Sequence, residues 1–353
     1  MNLPFNIDLK AATRLTRLGK LDEAVAAIRT ALGGGAAELK VSLARDFVAP
    51  GPDVKLRTDP RPPSPKPPSQ PSPGATFTEA THTGATGQRA YKLYVPACFD
   101  GRAMPLVVML HGCTQSPDDF AAGTRMNALA EAYGFFVAYP AQSASANPSR
   151  CWNWFNAADQ QRDRGEPALI AGLTREIMTR VPVDAKRVFI AGLSAGGAAA
   201  AVMGQAYPEL YAAVGVHSGL ACGAARDFAS AFRAMQQGGQ GKPATQNFKP
   251  TIVFHGDGDA TVHPVNGGHV IDQARHAARL KTLTETGKAG GRSYTRAIEI
   301  DEKGTPRLEQ WTIHGAGHAW SGGSPAGSYT DANGPDASRE MIRFFLDLGE
   351  ADD

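Results

Sequence analysis

The chain predicts an α/β fold, a mostly parallel and doubly wound sheet carried behind a short helical arm and a Pro-rich linker. Three observations predict it. Continuous apolar runs at Pro105-Leu106-Val107-Val108-Met109-Leu110 and Thr251-Ile252-Val253-Phe254 lack a polar face, as strands covered on both sides do. Each run ends in a loop rich in glycine and polar residues, where open α/β sheets place their reactive groups. Between them, Arg187-Val188-Phe189-Ile190-Ala191 passes through Gly192-Leu193-Ser194-Ala195-Gly196 into an alanine-rich helical stretch, giving strand, sharp turn and helix.

Taken in order, residues 1–49 form the arm. Leu15, Leu18, Leu21, Val25, Ile28 and Leu32 recur at three- and four-residue spacing, which predicts one or two amphipathic helices interrupted near Gly19-Lys20. Residues 50–76 are the linker, where prolines and serines such as Pro62-Pro63-Ser64-Pro65 favour an extended, semi-rigid chain. Residues 77–350 are of ordinary size for one α/β domain. Inside that domain, His111-Gly112-Cys113-Thr114-Gln115 follows the first apolar run and Asp257-Gly258-Asp259-Ala260-Thr261 follows the run at 251–256. Glu309-Gln310-Trp311-Thr312-Ile313 is a further short strand, ending in His314-Gly315-Ala316-Gly317-His318-Ala319-Trp320.

The chemistry begins at Ser194. A Gly-x-Ser-x-Gly turn between strand and helix lifts a hydroxyl over a helix N-terminus, and its flanking glycines leave room for the tight backbone. A serine hydroxyl needs a base, and the base needs a carboxylate that fixes its tautomer. Asp259 and His318 supply them in the chain order serine, acid, histidine. Asp257 competes with Asp259, but the spacing His-Gly-x-x-Asp-x-x-Val favours Asp259 and leaves Asp257 as a turn carboxylate. His314 sits at its strand end, whereas His318 lies beyond two glycines on a loop able to reach the serine; His111, His217, His255, His263 and His269 read as structural or surface residues. Backbone amides of Cys113 and Ala195 are the expected oxyanion donors.

These residues resemble the poly(3-hydroxybutyrate) depolymerase-like esterases of the α/β-hydrolase superfamily, which are similar also to feruloyl and acetylxylan esterases. The resemblance runs from about Tyr91 to Phe345. It rests on Leu110-His111-Gly112-Cys113-Thr114-Gln115, Cys151-Trp152-Asn153-Trp154-Phe155, Gly165-Glu166-Pro167, Ala191-Gly192-Leu193-Ser194-Ala195-Gly196-Gly197, Gly215-Val216-His217-Ser218-Gly219-Leu220 and Gly317-His318-Ala319-Trp320. It implies ester hydrolysis without a cofactor, on polymer, aryl or small esters. A serine peptidase with this residue order usually carries a large gating domain, which the first 76 residues cannot build. A non-catalytic binding protein would be expected to lack a triad member.

Composition agrees with this reading. A formal net charge of +2 gives no ground for a nucleic-acid or anionic-membrane partner, no apolar stretch approaches the roughly 20 residues that cross a bilayer, and no metal-ligand spacing such as His-Glu-x-x-His occurs. The partner is therefore an ester substrate, with a polymer or granule surface as the alternative use of the arm to docking on its own domain. Trp152 and Trp154 are expected on one face with Asn153 opposite, and Trp320 beside the serine, so these four are the expected substrate-binding residues. A Cys113–Cys151 disulfide would brace the oxyanion loop, and the sequence leaves it open; Cys98 and Cys222 read as free thiols. The first residues lack a secretory pattern, which favours the cytoplasm, while a disulfide would favour a secreted or periplasmic protein.

Overall fold

The computed structural model describes residues 73–242, 249–275 and 278–350. The chain divides into two units, 1–65 and 66–353. The expected helical arm and nearly all of the linker lie outside the described residues.

The second unit is built on a ten-stranded sheet in the order β1-β2-β4-β3-β5-β6-β7-β10-β9-β8. Its strands are β1 Thr76–Gly84, β2 Gly87–Val95, β3 Met104–Leu110, β4 Phe136–Pro140, β5 Val183–Leu193, β6 Ala213–His217, β7 Thr251–Gly256, β8 Lys281–Ala289, β9 Arg292–Ile300 and β10 Pro306–Ile313. A small parallel pair, β11 Trp320–Ser321 and β12 Thr330–Asp331, lies apart. The helices are α1 Pro117–Thr124, α2 Met126–Tyr133, α3 Gly165–Arg180, α4 Ala195–Ala206, α5 Phe228–Gln237, α6 Val265–Arg275 and α7 Ala337–Glu350.

The central strands β4, β3, β5, β6, β7 and β10 run parallel. Side chains alternate across each strand, so a strand covered on both faces reads as a near-continuous apolar run. β3 shows this: Leu106, Val108 and Leu110 enter one core with Ile170, Leu173 and Ile177 of α3 and with α4, while Val107 and Met109 enter the other with Leu129 of α2 and Met341, Ile342 and Phe345 of α7. The sheet is thus doubly wound.

It is also more mixed than expected. β1, β2 and β4 pair antiparallel at one edge, and β10, β9 and β8 at the other. These hairpins have one wet face, so their sequences carry polar residues: β8 reads Thr282-Leu283-Thr284-Glu285-Thr286, alternately exposed and half-buried.

Candidate active site

Ser194 occupies the joint between β5 and α4 with φ 57° and ψ −119°, a backbone region that L residues rarely adopt. Its N–H donates to the His217 carbonyl at 2.8 Å and its own carbonyl accepts from Ala198 N–H at 2.9 Å, which pins the strained turn from both sides. Gly196 is obligatory here, because a Cβ would overlap the Leu110 and His111 carbonyl oxygens of the β3 loop. The side chain is left half-buried, and among the described residues Ser194 Oγ has no hydrogen-bond partner.

β7 and β10 are parallel neighbours, so their C-terminal loops emerge side by side. Asp257 N–H donates to the Ile313 carbonyl at 3.1 Å and Gly258 N–H to the Ala316 carbonyl at 3.0 Å, zipping the two loops together. The zip aligns Asp259 with His318, whose Nδ1–H donates to Asp259 Oδ2 at 2.7 Å. Oδ1 accepts from Thr261 N–H at 2.9 Å and Val262 N–H at 2.8 Å. Burial by itself would raise the Asp259 carboxyl, but the hydrogen bonds from His255, His318 and Val262 overcome it and hold it well below the usual carboxylate range. Asp257 pairs elsewhere: its carboxylate accepts from His314 Nδ1 at 2.8 Å and Gly315 N–H at 2.7 Å, on the surface.

The loop after β3 carries Cys113. Among the described residues, neither Cys113 N–H nor Ala195 N–H, at the first turn of α4, has an acceptor. The loop itself is firmly held. Gly112 N–H donates to Gln115 Oε1 at 2.8 Å, Thr114 N–H to the Ser149 carbonyl at 2.7 Å, and Trp152 Nε1–H to the His111 carbonyl at 3.0 Å. His111 accepts from Gln142 N–H at Nε2, and burial pushes its imidazole down to about 4. A disulfide joins Cys113 to Cys151, while Cys98 is free and exposed and Cys222 free and buried. Closing a loop with a sequence separation of 38 contributes about 4 kcal/mol on chain-entropy grounds. Reduction is therefore expected to lower both melting temperature and turnover, and thiol titration of the unfolded, unreduced protein to find two thiols; four would refute the bridge.

A buried polar network adjoins this loop. Glu166, in the first turn of α3, accepts from Asn153 N–H at 2.7 Å, from Asn153 Nδ2 at 3.0 Å and from Gln142 Nε2, and Gln142 Nε2 also donates to the Cys151 carbonyl at 2.9 Å. Arg89 of β2 donates to Gln142 Oε1 and lies 3.8 Å from Glu166. Burial pushes the Glu166 carboxyl up, while its donors pull it back. Nothing in the spacing of Arg89, Gln142 and Glu166 foretells one buried network; the Gly165-Glu166-Pro167 block was its one trace.

The tryptophans require a correction. Trp152 is fully buried with Arg89 over its ring, and Trp154 is buried edge-on to Phe155. Trp320 is buried against His217 and Phe120, and its Nε1–H donates to Ser338 Oγ at 3.0 Å. Each indole N–H that finds a partner does so inside the protein, so these rings are core rather than pocket walls. Asn153 serves the Glu166 network. Among the described residues the exposed large aromatics are instead Phe228, at 54%, Tyr329, at 44%, and Tyr133, at 41%.

Residues 89–296 match the family described as Esterase PHB depolymerase, more than half of the chain. The chain belongs to this family. Poly(3-hydroxyalkanoate) depolymerase C of Paucimonas lemoignei is 31% identical over 253 residues, 68% of this chain and 59% of the relative, so the match spans less than two thirds of that protein. Feruloyl esterase B of Neurospora crassa is 27% identical over 232 residues, 60% of this chain and 77% of the relative. Among solved structures, the acetyl xylan esterase from Aspergillus awamori superposes with a TM-score of 0.61 at 21% identity, covering 77% of this chain and 99% of that one, which shows the shared α/β-hydrolase fold. The segment that matches the PHB depolymerase esterases holds Cys113, Ser194 and Asp259, whereas His318 lies beyond it and is placed by geometry.

Proposed function

We infer that the protein hydrolyses carboxylic esters through an acyl-enzyme on Ser194, acting on poly(3-hydroxybutyrate), its oligomers or similar short-chain hydroxyacyl esters. The observation that carries this reading is the 2.7 Å Asp259–His318 pair at the same sheet edge as a serine held in a strained elbow. His318 Nε2 takes the Ser194 proton as Oγ attacks the carbonyl carbon, and the Cys113 and Ala195 amides hold the oxyanion. Collapse expels the alcohol, which receives the proton from His318. Water, deprotonated by the same imidazole, then releases the acid and restores Ser194. Asp259 keeps His318 in the tautomer that leaves Nε2 free. The Ser194–His318 bond closes with substrate in place, as is common for catalytic hydrogen bonds that are open in the unliganded state.

The depolymerase relative supports the hydroxyacyl substrate, and so does apolar surface near the oxyanion loop. Tyr329 Oη lies 3.4 Å from Thr114 Oγ1, next to Cys113, and exposed Phe228 meets Phe155, four residues beyond Cys151, at 6.2 Å between ring centroids. Exposed aromatic area of this kind suits an apolar chain. Feruloyl or acetylxylan ester hydrolysis is the second reading, favoured by the feruloyl esterase match. A panel of short p-nitrophenyl esters, hydroxybutyrate oligomers, amorphous polymer and methyl ferulate separates them: turnover of hydroxybutyrate oligomers above methyl ferulate supports the first, and the reverse order the second. The disulfide favours an oxidising compartment over the cytoplasm.

The sequence before β1 is proposed to be separable and to serve a polymer or granule surface. A variant beginning at Pro73 is expected to melt within a few degrees of the full chain and to keep its small-ester activity, with loss confined to insoluble polymer. A collapse of melting temperature or small-ester turnover would make that segment part of the catalytic domain.

A further inference from the structure

Asp259 faces a second imidazole. Its Oδ2 lies 3.4 Å from Nε2 of His255, the penultimate residue of β7. His255 is buried, at 2% exposure, and its tautomer follows from its partners. Nε2 meets the Val262 carbonyl oxygen at 2.9 Å, which can only accept, so Nε2 carries the hydrogen. Nδ1 is buried without a partner among the described residues and faces Gly267 of α6. A hydrogen there would be a buried donor with nothing to bond. The Nε2–H therefore bonds the Val262 carbonyl at 2.9 Å, with the Asp259 carboxylate as its second, longer neighbour at 3.4 Å.

We propose that His255 is a positioning residue for ester hydrolysis, its Nε2–H holding the Asp259 carboxylate in place and moderating that carboxylate's pull on the proton of His318. The proposal rests on the serine, histidine and aspartate roles given above. A carboxylate that serves a second donor is a weaker partner for an imidazolium; without that donor, its charge bears more fully on His318. The base would then stay protonated to higher pH. Among the described residues, the ionisable groups that act on Asp259 include His318 from the loop after β10, His255 from β7 and His217 from β6. Burial pushes the His217 imidazole down to about 3, and its Nε2 accepts from Ser321 N–H at 3.0 Å, so it adds no charge in the working range.

The test is the pH profile of kcat/KM on a soluble p-nitrophenyl ester for wild type, His255→Phe and His255→Gln, with Ser194→Ala alongside. Phenylalanine keeps a ring of similar size and removes the donor, whereas glutamine places an amide N–H close to where Nε2 stood. In His255→Phe the acid limb is expected to move to higher pH, with about a tenfold loss on that limb and a smaller loss on the plateau. His255→Gln should return the limb towards wild type. An unmoved limb in folded His255→Phe, or an equal displacement in His255→Gln, overturns the proposal. Should His255→Phe fail to show a cooperative melt, His255→Asn, whose amide is too short to reach Asp259, takes its place in the same comparison. Activity retained in Ser194→Ala would instead refute the underlying reading, while an inactive Ser194→Ala beside an unmoved limb refutes the His255 role alone.

Discussion

Ser194→Ala is expected to remove ester hydrolysis, with turnover falling on the order of 10⁶-fold, because a triad without its nucleophile retains only binding and oxyanion stabilisation. The fold should survive. Ser194 Oγ makes no hydrogen bond among the described residues, and the turn is pinned by backbone bonds from Ser194 N–H to His217 and from Ala198 N–H to Ser194. An alanine in the same left-handed region carries the same backbone strain as serine, so the melting temperature should change little. Initial rates on a p-nitrophenyl ester, paired with a thermal melt, decide the matter. Retention of more than about one per cent of wild-type turnover in the folded variant would remove Ser194 from the chemistry.

Asp259→Asn is expected to cost about 10⁴-fold in turnover, because an amide that donates to His318 Nδ1 favours the tautomer whose Nε2 already holds a hydrogen. Asp257→Asn makes the contrast. Asp257 lies two residues earlier in the same loop and also binds a histidine, but that histidine is His314, and both carboxylate and imidazole are on the surface. Its loss should leave turnover within about tenfold of wild type, through a looser Gly315 backbone rather than a misplaced base. Measured kcat for the two variants at the wild-type optimum tests the ranking. If Asp257→Asn proved the more damaging, the orienting role would pass to Asp257.

The rivalry of these two carboxylates shows how far the sequence reaches. Both fit a polar loop after a buried strand, and the spacing that favours Asp259 states no mechanism. The structure supplies one: parallel register between β7 and β10 sets Asp257 N–H on the Ile313 carbonyl, which turns Asp259 inward and Asp257 outward. The parallel centre was legible because β3 and the stretches Val188–Leu193 of β5 and Ile252–Phe254 of β7 are buried, near-continuous apolar runs. The edge hairpins were not, since strands such as β8 carry threonine and lysine on a wet face and resemble loop sequence. The tryptophans misled for a related reason. An indole has a large apolar body and one donor, and it fits a pocket wall or a core with a carbonyl in reach equally well; Trp152 found the His111 carbonyl and Trp320 the Ser338 hydroxyl. Glu166 was invisible in its role because a buried carboxylate is declared by its partners, here Gln142 and Asn153, rather than by its own position in the chain.

The most direct test of the serine mechanism is covalent trapping. Treating the protein with a p-nitrophenyl alkylphosphonate should inactivate it with the release of one equivalent of nitrophenol, and peptide mass spectrometry should place a single phosphonyl group on Ser194. Asp259→Asn should slow that labelling in step with its loss of turnover. Complete inactivation with the label on another residue, or undiminished ester hydrolysis by protein fully labelled at Ser194, would contradict the assignment of Ser194 as the nucleophile.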